Sequence, residues 1–429
     1  MDVRVATALD RTARLINADF FGGALDSEEI VAHLIDTSVR VVADPCDLAS
    51  TAGQHALTTL VLHLSMSGIG VDLEVAATPL LGHQPPLLGV ELRSALEQHV
   101  RHNTPWVRLN SGVTPLVTFR LGSSRGDRRG DILVCGDATG CRVGPSGLIA
   151  ASRWAGDWPI GAIAAGIAAA AEALRYAIVN IARRAGHRVP AVITPGTSIT
   201  AVDLGPQPTS TTNLGELTII SAGAVTQAAM YTLLRIPDVH GSASVYDDDV
   251  FETSNLNRYP LLVAEDLGRR KATQLGRWSN GLIVEGVQER YKGGDTTGVA
   301  HMLIGADDIA VRWAAQRDLP RWLGIGATSH LFAEVSSHSA DSPCAGCVHD
   351  HEDDPPAVIP TISVISGWAG VVMASELLHD VGGASTAGRM AWSFPLGLSG
   401  RSGHRFIPIP PNAQCPVDCT ASRGVLRSA

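Results

Sequence analysis

"LTIISAGAVTQAAMYTLLRI", residues 217 to 236, decides the fold. An apolar, β-rich run from Leu217 to Ile220 reads as a buried strand. It enters a turn of small residues, Ser221-Ala222-Gly223, and leaves as an apolar helix. The unit continues downstream. "GSASVYDDD" (241–249) is a second strand ending in acids, "DLGRRKATQLGRW" (266–278) a helix, and "AHMLIGADD" (300–308) a third strand that also ends in carboxylates. Strands alternating with helices predict a parallel, doubly wound α/β sheet whose ligands bind at the carboxyl ends of its strands.

The first half reads as a degraded copy of the second. "VRVVADPCDLASTAGQHALTTLVLHL" (39–64) parallels the strand–turn–helix at 217–236, and "DILVCGDATG" (131–140) parallels "HMLIGADDIA" (301–310). The helix "GIAAAAEALR" (166–175) parallels "GVVMASELLH" (370–379), with the same spacing from Gly166 to Glu172 as from Gly370 to Glu376. The Pro-, Thr-, Ser- and Gly-rich stretch between the halves reads as a boundary. The expected organisation is tandem Rossmann-like sheets: a domain over 1–200, a linker over 201–213 and a domain over 214–429.

Composition narrows the partners. At 429 residues, 45% hydrophobic and 17% charged, the chain can bury large cores. A net charge of −9 argues against nucleic acid, which needs a basic face. The opening "MDVRVATALDRTARL" lacks an apolar signal core, and seven cysteines suit a reducing compartment, so a cytoplasmic location is expected. The run "PIGAIAAGIAAAAEALRYAIV" (159–179) is alanine-rich and carries Glu172 and Arg175. It reads as a buried helix of a protein outside the membrane.

The chemistry concentrates after the second strand, in "DDDVFETSNLNR" (247–258). Asp247, at the strand end, is placed to accept from ribose hydroxyls. Asn255 and Arg258 can reach phosphate oxygens, and Lys271 can return to the same pocket from the next helix. Asp307, ending the third strand, can hold Mg²⁺ through one carboxylate. Separately, Cys344-x2-Cys347 and Cys415-x3-Cys419 are two close pairs suited to tetrahedral Zn²⁺. Unpaired buried thiols are the alternative, with His349 and His351 as substitute ligands. Cys46, Cys135 and Cys141 read as scattered core cysteines.

This set resembles the E1-like activating enzymes, the superfamily of ThiF, MoeB and the ubiquitin-activating enzymes. Its mark is a D-x-D-x-V-E-x-S-N-L-N-R-Q segment after a glycine-rich turn, then a lysine in D-I-G-x-x-K-A. The resemblance is specific over about 214–380. It implies an adenylation domain with a zinc staple, preceded by a degenerate pseudo-E1 repeat. It further implies MgATP-dependent adenylation of a carboxylate, usually the C-terminus of a ubiquitin-like or sulfur-carrier protein, with peptides and small carboxylates as other candidates. Carried over by position, Asp247 becomes the ribose acid, and Gly223 the remaining glycine of the nucleotide turn. Asn255, Arg258 and Lys271 become phosphate ligands, Asp307 the magnesium ligand, and Arg312 the arginine following it. Cys344, Cys347, Cys415 and Cys419 become the structural zinc site. "RTARLINADFFG" (11–22) resembles the family's opening arginine helix, which implies an internal pseudo-dimer lending Arg14 to the pocket, with a homodimer also open.

Three departures stand out. The family's G-x-G-G-x-G is reduced to Ser221-Ala222-Gly223-Ala224-Val225-Thr226, and Tyr259 replaces the glutamine after the arginine. No cysteine lies between 348 and 414, and Thr361 and Ser363 are poor nucleophiles without a base, so direct transfer from the acyl-adenylate is expected over a thioester. Two other readings stay open: a nicotinamide-dependent oxidoreductase, and a degenerate scaffold that binds a carrier protein without turnover.

Overall fold

The computed structural model describes residues 2–123, 130–190, 193–205, 212–294, 298–351, 361–397 and 403–420. The first half runs α1 (Val3–Phe21), α2 (Ser27–Asp36), β1 (Ser38–Ala43), α3 (Pro45–Leu48), α4 (Thr51–Met66), β2 (Gly70–Val75), α5 (Leu92–Asn103), β3 (Thr118–Leu121), β4 (Ile132–Gly136), β5 (Gly140–Pro145), α6 (Ile160–Arg184) and β6 (Thr200–Asp203). The second begins with β7 (Asn213–Ile220), α7 (Ala224–Leu233), β8 (His240–Tyr246), α8 (Lys271–Leu275), β9 (Leu282–Val287) and β10 (His301–Ile304). It continues through α9 (Ile309–Arg317), β11 (Trp322–Ser329), β12 (Phe332–His338), α10 (Ala345–Val348), α11 (Ser363–Val381), β13 (Arg389–Ser393) and β14 (His404–Pro408).

Two sheets form, and their strand orders correspond. The first reads β2-β1-β3-β4-β5-β6 and the second β14-β13-β12-β11-β10-β7-β8-β9. In each, parallel strands give way to antiparallel ones: β2, β1, β3 and β4 are parallel, then β5 and β6 reverse. Likewise β9, β8, β7, β10 and β11 are parallel, then β12, β13 and β14 reverse. The tandem Rossmann-like arrangement expected from the sequence is therefore present.

Sheet order corrects one internal parallel. β10 lies between β7 and β11, so its counterpart is β3, between β1 and β4, and not the 131–140 strand. Hydropathy could not show this, because all of these buried strands are similar apolar runs. The stretch expected as a linker also begins inside a strand: β6 pairs antiparallel with β5, and residues 206–211 lie outside the described residues.

The two helices singled out as parallel occupy equivalent places. α6 packs along α4, and α11 along α7. Each crossing is close because a glycine sits at it. A Cβ at Gly166 would lie 2.7 Å from the Thr59 Cβ and 2.9 Å from the Ala56 carbonyl oxygen. A Cβ at Gly370 would lie 2.4 Å from the Ala228 Cβ and 2.6 Å from the Ala229 nitrogen. The four helices then join the halves, with Thr59 and Tyr231 hydroxyls 2.9 Å apart and Ser67 and Ser363 hydroxyls 3.2 Å apart. α6 is long and apolar enough to cross a membrane, but 94% of its apolar window is buried against protein. Gly370→Ala is expected to destabilise the protein by about 1–3 kcal/mol through forced overpacking. A urea unfolding curve with a lowered midpoint and an unchanged slope would show it.

Candidate functional site

The acid-rich segment folds where it does because the following helix folds back on it. Phe251 N donates to Arg269 O (2.9 Å), Gly268 N to Phe251 O (2.8 Å) and Lys271 N to Asp249 O (3.0 Å). This pairing delivers Lys271 to the carboxyl end of β8, with its Nζ 2.7 Å from Asp249 Oδ2. Lys271 is buried while Asp249 is 68% exposed, so this ion pair is open to solvent on one side. Burial works to lower the Lys271 ammonium, but Tyr259, Asp249 and Asp247 outweigh it and hold the ammonium above its ordinary range.

Arg258 is 4% exposed. Its guanidinium donates to Ser254 O and to Asn257 Oδ1 (2.8 Å), both neutral acceptors, and forms no ion pair among the described residues. Burial, helped by the charge of Arg11, brings it down to about 10, against the pull of Tyr259 and Glu252. It therefore stays charged at neutral pH. Tyr259 sits between the two cations, its ring centre 5.1 Å from the Arg258 guanidinium carbon and 5.8 Å from Lys271 Nζ. A buried cation without an ion-pair partner is costly, so Arg258 could receive an anion here.

The eroded turn keeps its backbone shape. Ser221 adopts φ +73°, a left-handed conformation that costs a non-glycine residue about 1–2 kcal/mol. Its hydroxyl accepts from Gly223 N (3.1 Å). Asp247 braces the same turn, accepting from Ala222 N (2.7 Å) through one oxygen and from Asp249 N (2.8 Å) through the other. The expected ribose acid thus holds the turn together in this structure.

Other expected residues divide. Asn255 is buried, and its side-chain oxygen accepts from Glu252 N (2.9 Å) in a capping box, so it shapes the 253–255 turn. Asp307 is exposed at the carboxyl end of β10, with no partner among the described residues, a carboxylate open to a hydrated cation. Arg14 is not brought to the cluster: it is 69% exposed and paired with Asp10 at 2.8 Å. The arginine of α1 whose charge Arg258 feels is Arg11, one turn earlier. α1 is fixed there by Thr12, whose hydroxyl accepts from Asn257 Nδ2 at 3.3 Å. Tyr259, Asn257 and Arg11 were not assigned site roles from the sequence. Tyr259 had a signal, as the departure from glutamine. The helical offset of Arg11 from Arg14 becomes visible only once α1 is docked.

The four cysteines do converge. Cys344, Cys347, Cys415 and Cys419 bring their sulfurs within 4.8 Å of one another, with Cys344–Cys415 at 3.2 Å and Cys347–Cys419 at 3.7 Å. A tetrahedron of sulfurs about 2.3 Å from zinc has edges in this range. Burial, with neighbouring thiols adding to it, pushes Cys344 up, and burial pushes Cys347 up to about 11. Such thiols are poor nucleophiles without a cation to hold their thiolates. His349 is not a substitute ligand: its Nε2 faces Arg312 Nη1 at 2.9 Å. Ser363 is spent on the helix interface, where its hydroxyl meets Ser67 and the His63 carbonyl.

No family model matches the chain. It is 26% identical over 237 residues to the SAMP-activating enzyme E1 of Haloferax volcanii, covering 50% of this chain and 84% of that protein. With the Asp247, Arg258 and Lys271 pattern in place, this similarity supports the E1-like resemblance. An uncharacterized protein, y4jF of Sinorhizobium fredii, is 30% identical over 150 residues, which are 32% of this chain and only 28% of y4jF. The solved structure of Escherichia coli MccB with MccA-N7isoASN aligns over 48% of this chain and 67% of that one, at 14% identity and a TM-score of 0.38. A structure of PaaA aligns over 46% and 64%, at 14% identity and a TM-score of 0.34. Both scores are too low to bear on the site.

Native mass spectrometry is expected to find one zinc per chain. Loss of an outer-shell group already weakens zinc binding about 10–100-fold, so Cys415→Ser, which removes a ligand, is expected to weaken it by at least that much in a competition assay with a chromogenic chelator.

Proposed function

We propose that this protein uses MgATP to adenylate a carboxylate, the C-terminus of a ubiquitin-like or sulfur-carrier protein or of a peptide. The observation that carries this reading is the buried Arg258, without an ion pair among the described residues, beside Tyr259 and Lys271, at the strand ends where a Rossmann-like sheet takes its ligand. In the proposed step a substrate carboxylate oxygen attacks the α-phosphorus of ATP. The bond to the bridging oxygen breaks, and pyrophosphate leaves with the electron pair. Arg258 and Lys271 offset the charge that builds on the α-phosphate oxygens, and Arg11 adds positive potential from α1. Magnesium held at Asp307 would offset charge on the triphosphate. Asp247 keeps the 221–223 turn in the shape that admits the nucleotide. An amine, amide or sulfur donor then bonds directly to the acyl carbon, the acyl–phosphate ester bond breaks, and AMP leaves with its electron pair.

One observation favours a second reading, a non-catalytic binder of a carrier protein. Both Asp247 oxygens are engaged by backbone amides, and the turn holds a strained serine where the family has glycine. Exchange of labelled pyrophosphate into ATP, with candidate carboxylates present, separates the two. The adenylating reading expects exchange in the wild type and a loss of about 100-fold or more in Arg258→Ala and Asp307→Ala. Carrier binding without exchange selects the scaffold, and unchanged exchange in both variants overturns the assigned roles.

A further inference from the structure

The cysteine cluster and the end of β10 are joined by a short mechanical path, through α9. His349 follows Cys347 by two residues, and its Nε2 lies 2.9 Å from Arg312 Nη1. The same guanidinium turns its Nε and Nη2 onto one acceptor, the Ala306 carbonyl oxygen, at 3.0 and 2.9 Å. Ala306 immediately precedes Asp307. Arg312 is 5% exposed, so its fork is held by protein groups and not by water.

Three further bonds fasten the helix to the cysteine lobe along its length. Trp313 Nε1 donates to His349 O (2.8 Å), Gln316 Oε1 accepts from Ala345 N (3.1 Å), and Arg317 Nη2 donates to Pro416 O (3.1 Å). Two of the lobe's anchor points, Ala345 and Pro416, are chain neighbours of cluster cysteines Cys344 and Cys415. The helix start carries its own cap, Asp308 accepting from Val311 N, which sets the direction in which the 305–307 segment leaves the strand.

We infer that His349 is a positioning residue. It passes the geometry of the cysteine cluster through Arg312 to the Ala306–Asp307 peptide, so that closing the four-cysteine site sets the carboxylate that handles magnesium. This rests on the proposed MgATP use for its functional consequence, but its mechanical part stands on the bonds alone. Loss of the His349 acceptor leaves a buried guanidinium to re-aim, and the Ala306 carbonyl loses a fixed donor pair. The effect is specific to the magnesium end of the site, because Arg258 and Lys271 are held by other elements, the 253–259 turn and the fold-back at 268–271.

The test uses zinc-loaded full-length protein, with His349→Ala and His349→Gln, the latter keeping a side-chain acceptor. Hydrogen–deuterium exchange is read over 305–318, and ATP binding is titrated at graded magnesium. His349→Ala is expected to keep its zinc and exchange faster over 305–318. It is also expected to need about tenfold more magnesium for half-maximal ATP binding, as loss of one bond to a charged group predicts. His349→Gln is expected to recover most of both effects. Removing zinc from the wild type with a chelator is expected to speed exchange over the same segment. Unchanged exchange in His349→Ala overturns the inference, as does loss of zinc in both variants alike. Wild type that binds no ATP at any magnesium level refutes the proposed function instead, and the exchange data still decide the coupling.

Discussion

Four apolar helices meet at the centre of this protein, and they meet closely only because residues 166 and 370 have no side chain. Each glycine lets a long helix settle against the helix that follows the first strand of its half, within distances a Cβ would forbid. Contacts across the two pairs, Thr59 with Tyr231 and Ser67 with Ser363 among them, then join the sheets through one continuous core. Everything at the candidate site that comes from the first half depends on that placement. α1 can present Thr12 to Asn257 and Arg11 to Arg258 only because the two halves pack as one body of apolar side chains.

Within that frame, the site is organised around two buried cations, of which only Lys271 has an ion-pair partner among the described residues. Arg258 and Lys271 come from two short segments with little regular structure, yet both are buried and both lie against Tyr259. An aromatic face is a weak partner for a cation compared with a carboxylate, which leaves the Arg258 charge available to an incoming anion, while Lys271 is shared with the exposed Asp249. Tyr259 stands where the E1-like pattern has glutamine, so this chain replaces an amide with a ring that both cations touch. The turn beneath it shows a similar substitution. Ser221 keeps a glycine's conformation and repays part of the strain with a hydroxyl bond to Gly223.

The cysteine lobe is tied into this arrangement and is more than a cap on the end of the domain. Four hydrogen bonds run from it to α9, and one of them passes through a guanidinium to the end of β10. Burial pushes the Cys344 and Cys347 thiols up, and thiols hold one another only by weak hydrogen bonds. A cation that drew them together would tighten the lobe and the helix at once.

The sequence by itself determined a good deal. The alternation of apolar strands with helices, the parallel between 166–175 and 370–379, the segment 247–258 with Lys271 after it, and two cysteine pairs were all legible, because periodicity and residue chemistry are local properties. They led to the tandem Rossmann-like fold and to the E1-like resemblance. Only the tertiary structure decided the rest. It made β3, not β4, the counterpart of β10, since strand order depends on which faces bury against which helices. It turned the Asn255 side-chain oxygen and the Asp247 carboxylate onto backbone amides, because buried amides must be satisfied before a ligand is considered. It chose Arg11 over Arg14, since the docking angle of α1 fixes which side of a helix meets the site. Spacing along the chain cannot supply that angle, which is set by side chains hundreds of residues apart.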